Sequence, residues 1–243
     1  MTYIQNLVEY YDELHPIDAS VKQFYGKFKQ SHGSPPKLLN IACGTGSLEF
    51  ELAKNGFDVT GLEVASALLD SANLKRRSQI LSIRFFKMSV LDMNKFLGKK
   101  FYNVISCLNN RLTFVHDRNL MKKVFSDCME LLIPGGTLVL QLYNYKKLGN
   151  AHKNPISAKS SMRVNFYTEI YKEADGSYFL NKSIKNSSGK ILPVLQKERI
   201  YPICADEIEE FAKAAGFKKC EFYSDFAETP FTEDSPELLC KIS

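Results

Sequence analysis

Much of what this 243-residue sequence withholds is informative. Its six cysteines form no Cys-x-x-Cys pair, and no histidine stands at metal-ligand spacing from them. A zinc site of the common spacing is therefore excluded, and so is a dithiol redox motif. Several of the cysteines fall in apolar strand or helix patterns, as buried thiols in a reducing compartment do. The N-terminus has neither a basic region nor an apolar run of the kind that directs secretion, and no apolar stretch approaches membrane-spanning length. The expected location is the cytoplasm, with no membrane partner. Charge of one sign is scarce as well: 32 basic against 27 acidic residues give +5. That excess is thin for a nucleic-acid groove. No internal repeat, low-complexity segment, nucleophile triad or metal cluster stands out.

What is present is organised around residues 37–64. Leu38, Leu39 and Ile41 read as a buried strand that breaks into Cys43-Gly44-Thr45-Gly46. A helix follows with Leu48 and Leu52 on one face, and Gly56 stops it. Phe57 to Leu62 reads as a second buried strand ending on Glu63. Strand, glycine turn, helix, strand and acid make the plan of a nucleotide-binding βαβ unit, in which the acid accepts hydrogen bonds from ribose hydroxyls. A dinucleotide fingerprint wants a third glycine three residues after the second. Glu49 stands there, and its charge would face a pyrophosphate, which disfavours a dehydrogenase. A ligand with ribose and adenine but no phosphate fits better.

In these residues the chain resembles the class I S-adenosylmethionine-dependent methyltransferases. Two departures stand in the first motif: Asn40 where the family usually has Asp, and Ala42 where it usually has Gly. Leu131-Leu132-Ile133-Pro134-Gly135-Gly136-Thr137-Leu138 resembles the family's late structural motif of a helix, Leu-x-Pro-Gly-Gly and a strand. Gln141 to Tyr145 and the run from Ala214 to Phe231 extend the likeness toward the bacterial, glycine/sarcosine-methyltransferase-like kind. The resemblance implies an α/β fold: a Rossmann-like, seven-stranded, mostly parallel sheet with an antiparallel C-terminal strand, plus an antiparallel β insertion.

Three parts are expected: an N-terminal helical cap (1–36), a cofactor core (37–145 and 203–243), and a strand insertion (146–202) lining the substrate pocket. Asp175-Gly176 and Ser187-Ser188-Gly189 signal hairpins between its alternating segments. Helices are expected over 4–14 and 18–30, with Ser31 to Pro36 and its Gly33 as a linker. Ser66 and Asp117 are expected as helix caps and Gly216 as a helix stop.

The cofactor implied is S-adenosylmethionine. Expected around it are Tyr11 from the cap, backbone of Ala42, Cys43, Gly44 and Gly46 at the amino-acid part, and Glu63 with Val64 at the ribose. Ser89 and Val90 would flank the adenine, Ser89 replacing the usual Asp, and Leu108 and Asn109 would close the site. Glu63 is expected to be replaceable by Ala without loss of fold. The expected acceptor is a small molecule with an N, O or C nucleophile, held by Asn110, Arg111, Tyr143, Tyr145 and Arg163. The arginines suit an anionic group. Methyl transfer from a sulfonium needs alignment more than acid–base chemistry, so no catalytic residue is assigned. His116 is read as an exposed loop residue.

Rival readings stay open. A nucleic-acid methyltransferase would usually carry Asp/Asn-Pro-Pro-aromatic or a Pro-Cys nucleophile, and the chain has neither. A non-catalytic S-adenosylmethionine-binding module gains weight from Asn40, Ala42 and Ser89. The strand edges of the insertion leave a homodimer open.

Overall fold

A computed structural model describes residues 3–32, 34–148 and 152–243. Gly33 of the expected linker and residues 149–151 of the expected insertion lie outside the described residues.

The apolar spacing after Tyr3 produces two four-residue helices, α1 (Gln5–Val8) and α2 (Tyr11–Leu14), instead of one. Tyr10 between them has φ −105° and ψ 0°, a bridge-region geometry that redirects the chain. The next helix, α3 (Ala19–His32), starts where Asp18 Oδ1 accepts from the Val21 N–H at 3.2 Å.

The parallel core then runs β1 (Lys37–Ile41), α4 (Ser47–Lys54), β2 (Asp58–Glu63), α5 (Ser66–Arg76), β3 (Ile83–Lys87), α6 (Met93–Phe96), β4 (Tyr102–Cys107), α7 (Arg118–Leu131) and β5 (Leu132–Tyr143). Continuous apolar strands such as Leu38 to Ile41 are covered on both faces, which is why they lack alternation. One face packs α3 and α4 through Phe24, Tyr25, Leu48 and Leu52. The other packs α7 through Met121, Val124, Phe125 and Cys128.

Four antiparallel strands follow: β6 (Lys153–Ser160), β7 (Val164–Lys172), β8 (Tyr178–Asn186) and β9 (Ile191–Ile200), paired in that order. Gly176 and Gly189, both at φ +83°, make the two hairpin turns the sequence signals. The first strand carries no apolar alternation and is invisible to pattern reading. Its Pro155 is tolerated because β6 is an edge. Finally α8 (Ala205–Ala215) ends on Gly216 at φ +99°, and β10 (Cys220–Tyr223) and β11 (Glu237–Ile242) complete the large sheet.

That sheet has the order β10-β11-β5-β4-β1-β2-β3, with β11 antiparallel to both neighbours. The chain progresses outward in opposite directions from β1 and β4. A crevice must therefore open at their carboxyl ends, and ligand sites of such sheets form there. The small sheet lies over that end. Its inner face, with Phe166, Ile170, Leu180 and Ile184, packs on Leu7, Tyr11 and Leu14 of the N-terminal helices. No helix of the described residues is long and apolar enough to cross a membrane.

Candidate active site

The turn after β1 is built by left-handed backbone. Ala42, Gly44 and Gly46 have φ of +59°, +62° and +81°. A side chain at Gly46 would strike the Phe85 ring, 2.6 Å from its nearest carbon. This glycine therefore serves helix-to-strand packing. A side chain at Gly44 would strike the Tyr11 phenol, so the N-terminal helix lies directly on the turn. Asp12 fastens it there, accepting from the hydroxyls of Thr45 and Ser47 and from Lys75 of α5 at 2.5 Å. Burial alone would favour its acid form, but those donors outweigh burial and hold its carboxyl below the usual range. Cys43 lies buried beneath the turn, its N–H continuing the ladder to Leu62 O at 2.8 Å.

Glu63 ends β2 with its carboxylate 4 % exposed. Oε2 accepts from Gly44 N at 3.0 Å; Oε1 accepts from Val64 N and Ala65 N at 2.9 Å each. It thus ties the turn to the start of α5, where Ala65 and not Ser66 is the capping residue. Replacing Glu63 by Ala would leave three backbone donors unpaired, so the expectation of an undisturbed fold is corrected.

Glu49 points inward. It is fully buried, and its Oε1 accepts from Asn40 Nδ2 at 2.6 Å. Its charge therefore does not face a ligand, which removes one of the two grounds against a dinucleotide. The absence of a third glycine remains. Burial, opposed by the Asn40 hydrogen bond, raises the Glu49 carboxyl to about 7.

Two cavities flank the chain that leaves the end of β4. The first, about 300 Å³, lies over the ends of β1 and β2. Ala42, Glu63, Val64, Ser89, Val90 and Arg111 line it, and Met88, Cys107 and Leu112 supply apolar wall. The structure thus places Ala42, Glu63, Val64, Ser89 and Val90, all named from the sequence, around one cavity. Arg111, expected at the acceptor, lines this same cavity. It hydrogen-bonds the Tyr11 hydroxyl, and its Nε is buried without a partner. A guanidinium beside Gly44 with an unused donor suits a carboxylate. His116 is exposed at the rim.

The second cavity, about 270 Å³, lies between the ends of β4 and β5 and the inner face of the small sheet. Asn109, Asn110 and Tyr143 line it, together with His15, Lys159 and Lys182. Asn109 thus lines the second cavity and not the first, and Leu108 is packed in the core; Cys107 takes the fourth-strand place in the first cavity. Asn109 and Asn110 both adopt positive φ, +55° and +59°. Two such residues in succession store strain, which the Asn110 side chain offsets by donating to Tyr145 Oη at 2.8 Å and accepting from Tyr143 N at 3.0 Å. Tyr145 is consequently a buried brace that does not line the cavity. Arg163 is not in the site: it lies exposed on the outside, paired with Glu9 at 2.7 Å and with Glu13. Its position just before β7 was readable, but its direction was not.

His15, Lys159 and Lys182 went unnoticed in the sequence. Only Lys182 left a trace, as a lysine between Leu180 and Ile184 on the same face of an alternating strand.

A family profile described as a methyltransferase domain matches residues 38–136, from β1 through the glycines in β5. The putative methyltransferase YqeM of Bacillus subtilis (strain 168) is 24% identical over 98% of this chain and 95% of its own length. A glycine/sarcosine N-methyltransferase of Aphanothece halophytica is 24% identical over 99% of this chain and 89% of its own. Residues 38–136 of the chain thus carry an S-adenosylmethionine-dependent methyltransferase domain. Among solved structures, the CcbJ methyltransferase of Streptomyces caelestis superposes with a TM-score of 0.81 at 20% identity, covering 100% of this chain and 97% of that one. CalS10 of Micromonospora echinaspora, solved with S-adenosylmethionine, gives 0.66 at 18% identity over 100% and 98%. These likenesses establish a shared fold.

The first cavity of this methyltransferase fits its cofactor chemically. Glu63 accepts one backbone N–H on Oε2 and two on Oε1, which leaves one lone pair, on Oε2, for a ribose hydroxyl. Apolar surface from Val90 and Leu91 suits the adenine, and the unpartnered Arg111 Nε suits the amino-acid carboxylate.

Proposed function

We propose that this methyltransferase transfers the methyl group to a nitrogen or oxygen of a small molecule bound in the second cavity. The observation that carries the proposal is the pair of adjoining cavities, one for each reactant, separated by the strained Asn109-Asn110 segment. Small-molecule enzymes among the relatives, such as the glycine/sarcosine N-methyltransferase, support the acceptor class. The cavity is enclosed by the small sheet, whereas a polynucleotide would require an open groove.

S-adenosylmethionine, when bound, supplies an electrophilic methyl on a sulfonium whose leaving group departs neutral. The chain's part is to align, to dry and to accept a proton. His15 is placed for the last of these. Its ring stacks on Tyr11 at 4.4 Å, and its Nδ1–H donates to the Tyr11 carbonyl at 3.0 Å. That bond leaves Nε2 as the unprotonated nitrogen. Burial, then the nearby Lys159 and Arg111, keep the imidazole neutral well below its ordinary range. A base that is neutral at physiological pH suits an acceptor that loses N–H or O–H during transfer.

Pro155 and Pro193 stand in the two edge strands of the small sheet and blunt both edges. We therefore favour a chain that does not pair through them.

The test is calorimetric titration with S-adenosylhomocysteine, NADH serving as control, followed by methyl transfer to a metabolite panel and to total RNA. Binding of the first ligand alone, with turnover only on metabolites, is the expected result. Turnover on RNA alone would overturn the acceptor class.

A further inference from the structure

Lys182 is the residue least explained by folding. It is 5 % exposed, in the middle of β8, and its neighbours on the inner face, Leu180 and Ile184, are completely buried. Across the sheet it pairs with Thr168 on one side and Leu195 on the other. Its ammonium approaches the Phe166 ring at 5.7 Å, and among the described residues no carboxylate forms an ion pair with it and no acceptor a hydrogen bond. Lys159 of β6, opposite Phe166 in register, enters the same cavity; among the described residues no carboxylate lies at ion-pair distance from it, and the charge of Glu237 acts on it from further off. Glu237 is the acid in that wall, and its Oε2 already accepts from Gln141 at 2.6 Å. The basic side chains Lys159, Lys182 and the nearby Arg111 thus converge on one pocket.

An unpaired ammonium on an apolar sheet face is costly, because it loses its water and gains no counter-charge. Burial comes first, then repulsion by Arg111 and Lys159, and together they push the Lys182 amine far down from its usual value. A group that costs stability, lacks a structural partner and faces a cavity is arranged for something that enters it. Building on the acceptor-pocket reading, we propose that the methyl acceptor carries an anionic group, a carboxylate or a phosphate, bound by Lys182 with Lys159. An anion at that point supplies the missing counter-charge, and the remainder of the molecule extends past Phe166 toward Asn109 and His15.

The experiment is titration of the full-length protein with phenylacetate, phenyl phosphate and neutral benzyl alcohol, with S-adenosylhomocysteine titrated separately. At least one anion binds in the millimolar range or tighter, and benzyl alcohol binds at least about ten-fold more weakly; the stronger anion identifies the headgroup. Lys182→Met loses at least about ten-fold in anion affinity and Lys159→Met loses less, both with unchanged affinity for S-adenosylhomocysteine. Folding does not confound the result. Methionine replaces a buried amine that has no partner, so the urea midpoint of Lys182→Met equals or exceeds that of the parent. Anion affinity that survives in Lys182→Met, benzyl alcohol binding as well as the anions, or no anion binding would each overturn the proposal. Anion binding without S-adenosylhomocysteine binding would instead count against the cofactor site and leave the anion site standing.

Discussion

Glu49→Gln isolates one buried proton beneath the glycine turn. Glu49 Oε1 accepts from Asn40 Nδ2, while Glu49 Oε2 and Asn40 Oδ1 both lack a donor. A proton on the carboxyl supplies one, which fits its rise from 4.5 to about 7 through burial. The sign follows from linkage. Below pH 4.5 folded and unfolded chains are both protonated here. Between 4.5 and about 7 the unfolded chain releases its proton first, so stability falls as pH rises through that window and stays low above it. At 1.36 kcal/mol per pH unit the loss amounts to about 3 kcal/mol by pH 8, and under about 1 kcal/mol at pH 5. Glutamine stays neutral, keeps an acceptor for Asn40 Nδ2 and offers a donor for Oδ1. Urea unfolding of both proteins at pH 5 and pH 8 reads the difference directly. With slopes of roughly 2–3 kcal/mol/M, the variant's midpoint should exceed the parent's by about 1 M at pH 8 and by far less at pH 5. An offset of the same size at both pH values would falsify the protonation argument.

Glu63→Gln retains an oxygen for the Val64 and Ala65 amides and should weaken S-adenosylhomocysteine binding by roughly 1.5–3 kcal/mol. Unchanged affinity by calorimetry would remove the ribose from this residue. Ala42→Gly relieves a left-handed alanine and should raise stability by about 1 kcal/mol, seen as a higher urea midpoint with cofactor affinity retained. Asp12→Ala releases the N-terminal helix from Thr45, Ser47 and Lys75; S-adenosylhomocysteine affinity should drop about ten-fold, with hydrogen exchange accelerated in residues 3–15 and little changed in β1 and β4. His15→Asn should lower kcat at least about a hundred-fold with S-adenosylhomocysteine affinity kept. In the parent, the acid limb of kcat/KM should fall well below the ordinary histidine range, since the imidazole is neutral there; a limb near 6.5 would exclude His15 as the base.

The cofactor half of the molecule was legible in sequence because its determinants are local. Leu38 to Glu63 lie on one βαβ unit, and the conformational demands of its turn are met by Gly44 and Gly46 within a few residues. Asp117 capping α7 and Gly216 ending α8 were readable for the same reason. The second cavity was not. His15, Asn109, Phe166, Lys182 and Glu237 come from five separate elements, and only the docking of the small sheet and α2 on the β4–β5 end unites them. Orientation decided the rest. Arg163, just before β7, and Lys182, in β8, are both basic residues of the strand insertion, yet one is ion-paired on the outside and the other is buried among Leu180, Ile184 and Phe166. Strand parity assigns Lys182 to a face, but which face becomes interior depends on what packs against it. By itself the sequence determined the nucleotide-binding unit, since periodicity and turn chemistry act over short distances, and its resemblance to a known family supplied the mostly parallel sheet and the cofactor. Tertiary structure alone decided where the positive charges converge, because that depends on contacts between residues far apart in the chain.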